Sequence, residues 1–218
     1  MANFKLDVDG DGIALITWDM ADRSMNVITT GVIEELGALV DKVSADPAIR
    51  GVVVTSGKDA FCGGADLTML EGMGAMFANL VRTKGEEAAA AFVFEESRKL
   101  SQVYRRIETC GKPWVCALNG TAMGGGFEFA LACHHRIATD NPKTRLGLPE
   151  IKVGLFPGAG GTQRVARMIP PADALQFLLK GEQLKVDRAK AMKLIDAVAP
   201  QADLITAAKD WIKAGGKA

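Results

Sequence analysis

The chain has 218 residues with 26 basic and 26 acidic side chains, so it carries no net charge at neutral pH. That balance gives no electrostatic footprint for nucleic acid or an anionic membrane. Apolar residues make up 48% and charged residues 24%, as in an ordinary soluble globular protein long enough to bury a substantial core. No apolar run approaches the ~20 residues needed to span a bilayer, and the polar, acidic start Met1 to Asp11 does not resemble a signal peptide. Cys62, Cys110, Cys116 and Cys133 show no C-x-x-C spacing, which predicts small core thiols in a reduced, cytoplasmic setting. His134 and His135 are adjacent, and neighbouring side chains on a helix point about 100° apart. They read as a polar helix end, and no metal site is expected.

In chain order, Phe4 to Val8 alternates in polarity, Asp9 to Gly12 is a turn, and Ile13 to Trp18 is apolar, together a β-hairpin. A polar loop, Asp22 to Asn26, leads to Thr29 and Thr30, which can cap a helix burying Val32, Ile33, Leu36, Leu39, Val40 and Val43 until Pro47. Val52 to Val54 reads as a short parallel strand covered on both sides. It runs into Ser56 to Thr68, SGKDAFCGGADLT, a strand-to-helix junction with two adjacent glycines. Met69 to Cys110 predicts helix. Its Met69, Met73, Met76 and Phe77 are spaced for ordinary helix packing, the preferred reading, or for lining a plastic apolar channel.

Trp114 to Leu118 is the next buried strand, followed by a second glycine junction, Asn119 to Cys133, NGTAMGGGFEFALAC. Two such junctions can place free backbone amides at one carboxyl edge of a sheet, where open α/β folds bind ligands. Glu128 is a lone carboxylate in the first turn of an apolar helix. Either it caps amides of its own helix, or it faces a cleft where glycine amides hold an oxyanion. Arg136 to Thr139 reads as a short strand. Glu150, held after Pro149, precedes the turn Pro157 to Thr162, PGAGGT, and reads either as a solvated loop acid or as the second acid of a paired-carboxylate site. Helices are expected over Ala172 to Lys180, Val186 to Val198 with Asp187 as a possible cap, and Leu204 to Ala214, before a frayed Gly-rich tail.

Three segments, Ala60 to Leu67, Asn119 to Ala138 and Gly147 to Arg164, occur in the order found in the crotonase, or enoyl-CoA hydratase/isomerase, family, which the chain resembles over nearly all of Ile13 to Ala199. The resemblance implies an α/β fold, a spiral of ββα units with C-terminal helices. The hydratase core would cover 1–199, with a helical insertion about 69–110, and 200–218 would be a C-terminal helix and tail. It implies an oxyanion hole from the amides of Ala65 and Gly125, with Gly63, Gly64, Asp66, Leu67, Gly124 and Pro149 along the substrate. Glu128 would handle a water and Glu150 a proton, with the Gly161 amide helping to place the water.

With both acids present, the resemblance implies hydration of trans-2-enoyl-CoA to 3-hydroxyacyl-CoA in fatty acid β-oxidation. Δ3-Δ2 isomerisation, or an acyl-CoA-binding or assembly module without turnover, are the alternatives. No cofactor is implied beyond the coenzyme A carried by the substrate. Leu148 before Pro149 and the insertion after Met69 resemble the N-terminal hydratase module of multifunctional fatty-acid-oxidation α-subunits. The chain stops soon after Val198, where stand-alone members continue. The resemblance implies a homotrimer, or, for an excised module, dehydrogenase and thiolase parts of a fatty-acid-oxidation complex as partners. Lys58 and Arg23 are candidates for the CoA phosphates only through proximity to the junctions, solvated surface being their preferred reading.

Overall fold

The computed structural model describes residues 2–218. Strands β1 (Phe4–Val8) and β2 (Ile13–Trp18) form the expected antiparallel hairpin, Phe4 opposite Trp18. Helix α1 (Thr30–Ala45) starts where the Thr29 hydroxyl accepts the Val32 amide at 3.2 Å, and it buries Val32, Leu36, Val40 and Val43. Strand β3 (Gly51–Ser56) is buried throughout and parallel to β2. The predicted helix after it is two helices, α2 (Leu67–Lys84) and α3 (Glu86–Thr109), because Gly85 breaks it at a φ of +88°.

Strand β4 (Trp114–Leu118) and the short β5 (Ala122–Met123) lead into α4 (Gly125–Ala132). There follow β6 (His135–Thr139), β7 (Leu146–Gly147), α5 (Gly161–Met168), α6 (Pro171–Lys180) and β8 (Gln183–Leu184). The predicted helix from Val186 to Val198 stops early. It forms only as α7 (Val186–Ala191), with no side-chain cap from Asp187; Lys193 then takes a φ of +62°, and the chain returns as strand β9 (Ala197–Ala199). Helix α8 (Leu204–Lys213) is last.

The main sheet runs β1-β2-β3-β4-β6-β9, parallel except for the first hairpin, and β5-β7-β8 form a small second sheet. Alternate residues of the parallel strands point to opposite faces. Val52, Val54, Cys116 and Leu118 pack with α1, α3 and α4, whereas Val53, Val115, Ala117 and Ile137 pack under Leu204, Ala208 and Ile212 of α8. The C-terminal helix thus covers one face of the sheet. The histidines sit at a strand entry, not at a polar helix end: the Trp114 amide donates to His134 Nδ1 at 3.1 Å, and His135 stacks on Trp211 with ring centroids 4.4 Å apart. Among the described residues there is no His, Cys, Asp or Glu group that could hold a metal, and no helix long and apolar enough to cross a membrane.

Candidate active site

The two glycine junctions leave the neighbouring strands β3 and β4, and the structure sets them side by side. Cys62 bridges Ala122, and the Met123 amide donates to the Cys62 carbonyl at 3.0 Å. Gly64 has a φ of +102°, and a Cβ there would meet the Met123 carbonyl oxygen at 3.1 Å, so only glycine fits both demands. Ala65 lies opposite Ile28, but the bonds of that bridge are made by its neighbours: Ile28 donates to the Gly64 carbonyl and Asp66 donates to Ile28. The Ala65 N–H is left over. Gly125, first residue of α4, is in the same position, since leading helix amides have no intrahelical acceptor. Among the described residues neither N–H has a protein partner.

Side chains outside the sequence motifs hold these bends. Asn26 is wholly buried; its Nδ2 donates to the carbonyls of Trp18 at 2.8 Å and Phe61 at 3.2 Å, and to Ser56 Oγ at 2.9 Å. It ties the loop after β2 to the first bend. The buried Tyr104 hydroxyl, from α3, donates to the Gly125 carbonyl at 2.8 Å. Asp66 caps α2 by accepting the Met69 amide at 3.1 Å and pairs with Arg23 at 2.9 Å, while Lys58 pairs with Asp19 at 2.7 Å. Arg23 remains half-exposed, as expected of solvated surface, whereas Lys58 is largely covered. Gly63 is exposed and donates its amide to the Asn26 carbonyl, and Leu67 is exposed at the start of α2.

Glu128 does not cap its own helix. Its Oε1 accepts the amides of Ala159 at 2.9 Å and Gly161 at 2.7 Å, both from the PGAGGT turn. The Gly161 amide, expected to place a water, is thus committed to the carboxylate. Glu128 is nearly enclosed, and burial pushes its pKa up to about 7, with the charge of Glu150 also raising it and the two amides opposing. Glu150 opens a single 3-10 turn, Glu150–Val153, entered through Pro149, and burial raises its pKa as well. The two acids flank one peptide step. A Cβ on Gly124 would lie 3.2 Å from Glu150 Oε1, and one on Gly125 would lie 3.9 Å from Glu128 Oε2. The Oε2 of Glu150 is enclosed without a hydrogen-bond partner.

Beside this site opens a cleft of about 620 Å³, lined by Asp66, Thr68, Met69, Met73, Met76 and Phe92 among others. Packing, the preferred reading of the methionines, does not hold, because α2 buries none of its residues and Met76 is 46% exposed.

Residues 9–215 match the family model described as enoyl-CoA hydratase/isomerase. A relative named fatty acid oxidation complex subunit alpha, from Shewanella loihica, is 38% identical over 220 residues, covering 99% of this chain and 29% of the relative. Its namesake from Idiomarina loihiensis is 39% identical over 206 residues, covering 94% and 27%. The chain thus spans under a third of the length of the curated relatives it matches. Among solved structures, enoyl-CoA hydratase from Bacillus anthracis superposes with a TM-score of 0.82 at 28% identity, covering 98% of this chain and 76% of that one. That from Thermoplasma volcanium gives 0.80 at 25% identity, covering 97% and 77%. In fold and in sequence, the chain belongs to the enoyl-CoA hydratase/isomerase, or crotonase, family.

Proposed function

We propose that this chain adds water to trans-2-enoyl-CoA to give 3-hydroxyacyl-CoA. The observation that carries the reading is the pairing of two unengaged amides, Ala65 and Gly125, with two carboxyl groups flanking the Gly124–Gly125 step. A thioester oxygen received by both amides would become more negative as the double bond is attacked, and fixed donors stabilise that developing charge. In its ionised form, which the Ala159 and Gly161 amides and Arg164 favour against burial, Glu128 takes a proton from water as the oxygen bonds to Cβ. Glu150 as neutral acid gives its proton to Cα of the enolate. Like charges held near each other cannot both ionise easily, which favours one proton shared by the pair.

The relatives named as enoyl-CoA hydratases support the substrate class, and those named as complex subunits support assembly with other fatty-acid-oxidation enzymes. The acyl chain would enter the methionine-lined cleft, which begins at the residue after Ala65. Purified protein with crotonyl-CoA tests the proposal: enoyl absorbance should fall, and Glu128→Gln and Glu150→Gln should each slow it by orders of magnitude. Full activity in either variant would overturn the paired-acid mechanism.

One observation favours a second reading. Glu128 is pinned by two amides whereas Glu150 has an oxygen free of partners, so Glu150 is the group suited to carry a proton between Cα and Cγ of a 3-enoyl-CoA. Conversion of 3-enoyl-CoA to the 2-enoyl ester that survives Glu128→Gln but not Glu150→Gln would establish isomerisation.

A further inference from the structure

We propose that Arg164 is a positioning residue for Glu128: its guanidinium, held by Glu108, clamps the glycine turn that grips the carboxylate. The inference rests on Glu128 serving as the acid–base group. Arg164 stands on α5 and is only 8% exposed. Its Nη1 donates to the Ala159 carbonyl at 2.6 Å. Nε and Nη2 make a fork to the two carboxylate oxygens of Glu108, at 2.8 and 3.0 Å, across 56 residues of sequence. A buried arginine needs acceptors for its donors, and here every acceptor belongs either to the turn or to the anchor.

The geometry shows why this matters for Glu128. The amides gripping Oε1 belong to Ala159 and Gly161, and the Ala159 carbonyl belongs to the peptide plane between them. Fixing that plane aims both N–H groups at one oxygen. The segment has little stiffness of its own, since Gly158 and Gly160 flank Ala159. Gly160 also has a φ of +97°, and a Cβ there would collide with Arg164 Nη1. The glycine is thus required both by the backbone and by the space the guanidinium occupies.

Charge gives the clamp a second effect. Around Glu128 stand Glu150 and Arg164, with Tyr104 also close; Cys62 lies near Tyr104, and Glu108 is held on Arg164. Burial holds Tyr104 well above its ordinary pKa and pushes Cys62 up to about 12, so both are neutral, and Glu150 and Arg164 are the charged groups that act. Arg164 favours ionised Glu128, and Glu108, paired with the guanidinium at 2.8 Å, carries the opposite charge next to it. Deleting the two partners should therefore move the Glu128 titration in opposite directions, which a merely loosened turn would not do.

The test follows the Glu128 carboxyl by 13C NMR in the full chain, assigned through Glu128→Gln, beside crotonyl-CoA kinetics against pH. In Arg164→Met the Glu128 pKa should rise by about one unit. The acidic limb of the rate profile should follow it, with kcat falling about tenfold and KM changing little. In Glu108→Gln the pKa should fall, because the guanidinium is left unopposed. Arg164→Lys should keep part of the charge effect without restoring kcat, since an ammonium cannot fork. An unchanged Glu128 titration in a folded Arg164→Met, or the same direction of shift in both deletions, would overturn the proposal. Should Arg164→Met not fold, Arg164→Lys and Glu108→Gln decide it by the same readout. A wild-type chain that turns over no enoyl-CoA would sink the functional reading, while the NMR titration would still decide the clamp.

Discussion

Glu128 Oε1 and the Gly161 amide meet at 2.7 Å across 33 residues of sequence. An acid in the first turn of one helix is thus held by the first residue of another, α5. The carboxylate is fixed by main chain that cannot be removed by mutation. It can only be displaced.

Gly161→Ala does that. An added Cβ would approach Glu128 Cγ and Oε1 at 2.9 Å and Leu148 Cδ1 at 3.0 Å, whereas the φ of Gly161 is one any residue adopts. A misplacement of this size in a catalytic group costs on the order of a hundredfold in rate. The expected outcome is a loss of about that order in crotonyl-CoA hydration with a melting temperature changed by only a few degrees. Retained activity would mean the carboxylate is not poised where the turn holds it.

The raised pKa of Glu128 sets a sign for stability. An unfolded glutamate titrates near its ordinary 4.5, and the folded one near 7, so between those values the native state binds the extra proton. Stability is then fully present below about 4.5 and falls as pH rises through 7, by roughly 3 kcal/mol for a shift of this size. Glu128→Gln keeps an oxygen for the two amides but cannot ionise. Melting curves should show it gaining on the wild type between pH 5 and 8, and equal pH dependence in the two proteins would refute the shift.

Met73→Glu tests the cleft. Met73 is half-buried against open space on a helix that buries nothing, so the substitution should leave folding intact. Crotonyl-CoA is too short to reach far into the cleft, whereas a ten-carbon chain would lose apolar contact worth ~0.8 kcal/mol per methylene. We expect kcat/KM for 2-decenoyl-CoA to drop tenfold or more, with crotonyl-CoA little affected. Equal losses on both esters would place the acyl chain elsewhere.

Tyr104→Phe removes the donor to the Gly125 carbonyl at a buried position. Losing that bond should cost about 1–2 kcal/mol and lower the melting temperature by a few degrees. Hydration should slow several-fold as the start of α4 loosens. A variant as stable and active as the wild type would show that the bond does not hold the bend.

The bends themselves were legible in the chain because their cause is local. Buried strands such as Val52 to Val54, followed by paired glycines, announce a strand-to-helix turn whatever surrounds it. What grips Glu128 was not legible, because Ala159, Gly161 and Arg164 act through contacts set only when α5 packs against α3 and α4. Arg164 lay inside a motif yet gave no signal of its partner, 56 residues away. Asn26 reads as a loop residue, since a buried amide satisfied by Trp18, Met20, Ser56 and Phe61 looks in sequence like any turn asparagine. The residues of β9 carry no strand signal of their own, because the parallel partner β6 decides their conformation.

Helix α8 seals the face of the sheet turned away from both acids, over Val53, Val115 and Ile137. Robustness and chemistry are therefore housed on opposite sides of one wall of strands. Damage at Ile212 should lower the number of working molecules without altering what each one does, and this back face is where sequence drift, tags or stabilising substitutions can accumulate unseen by the substrate.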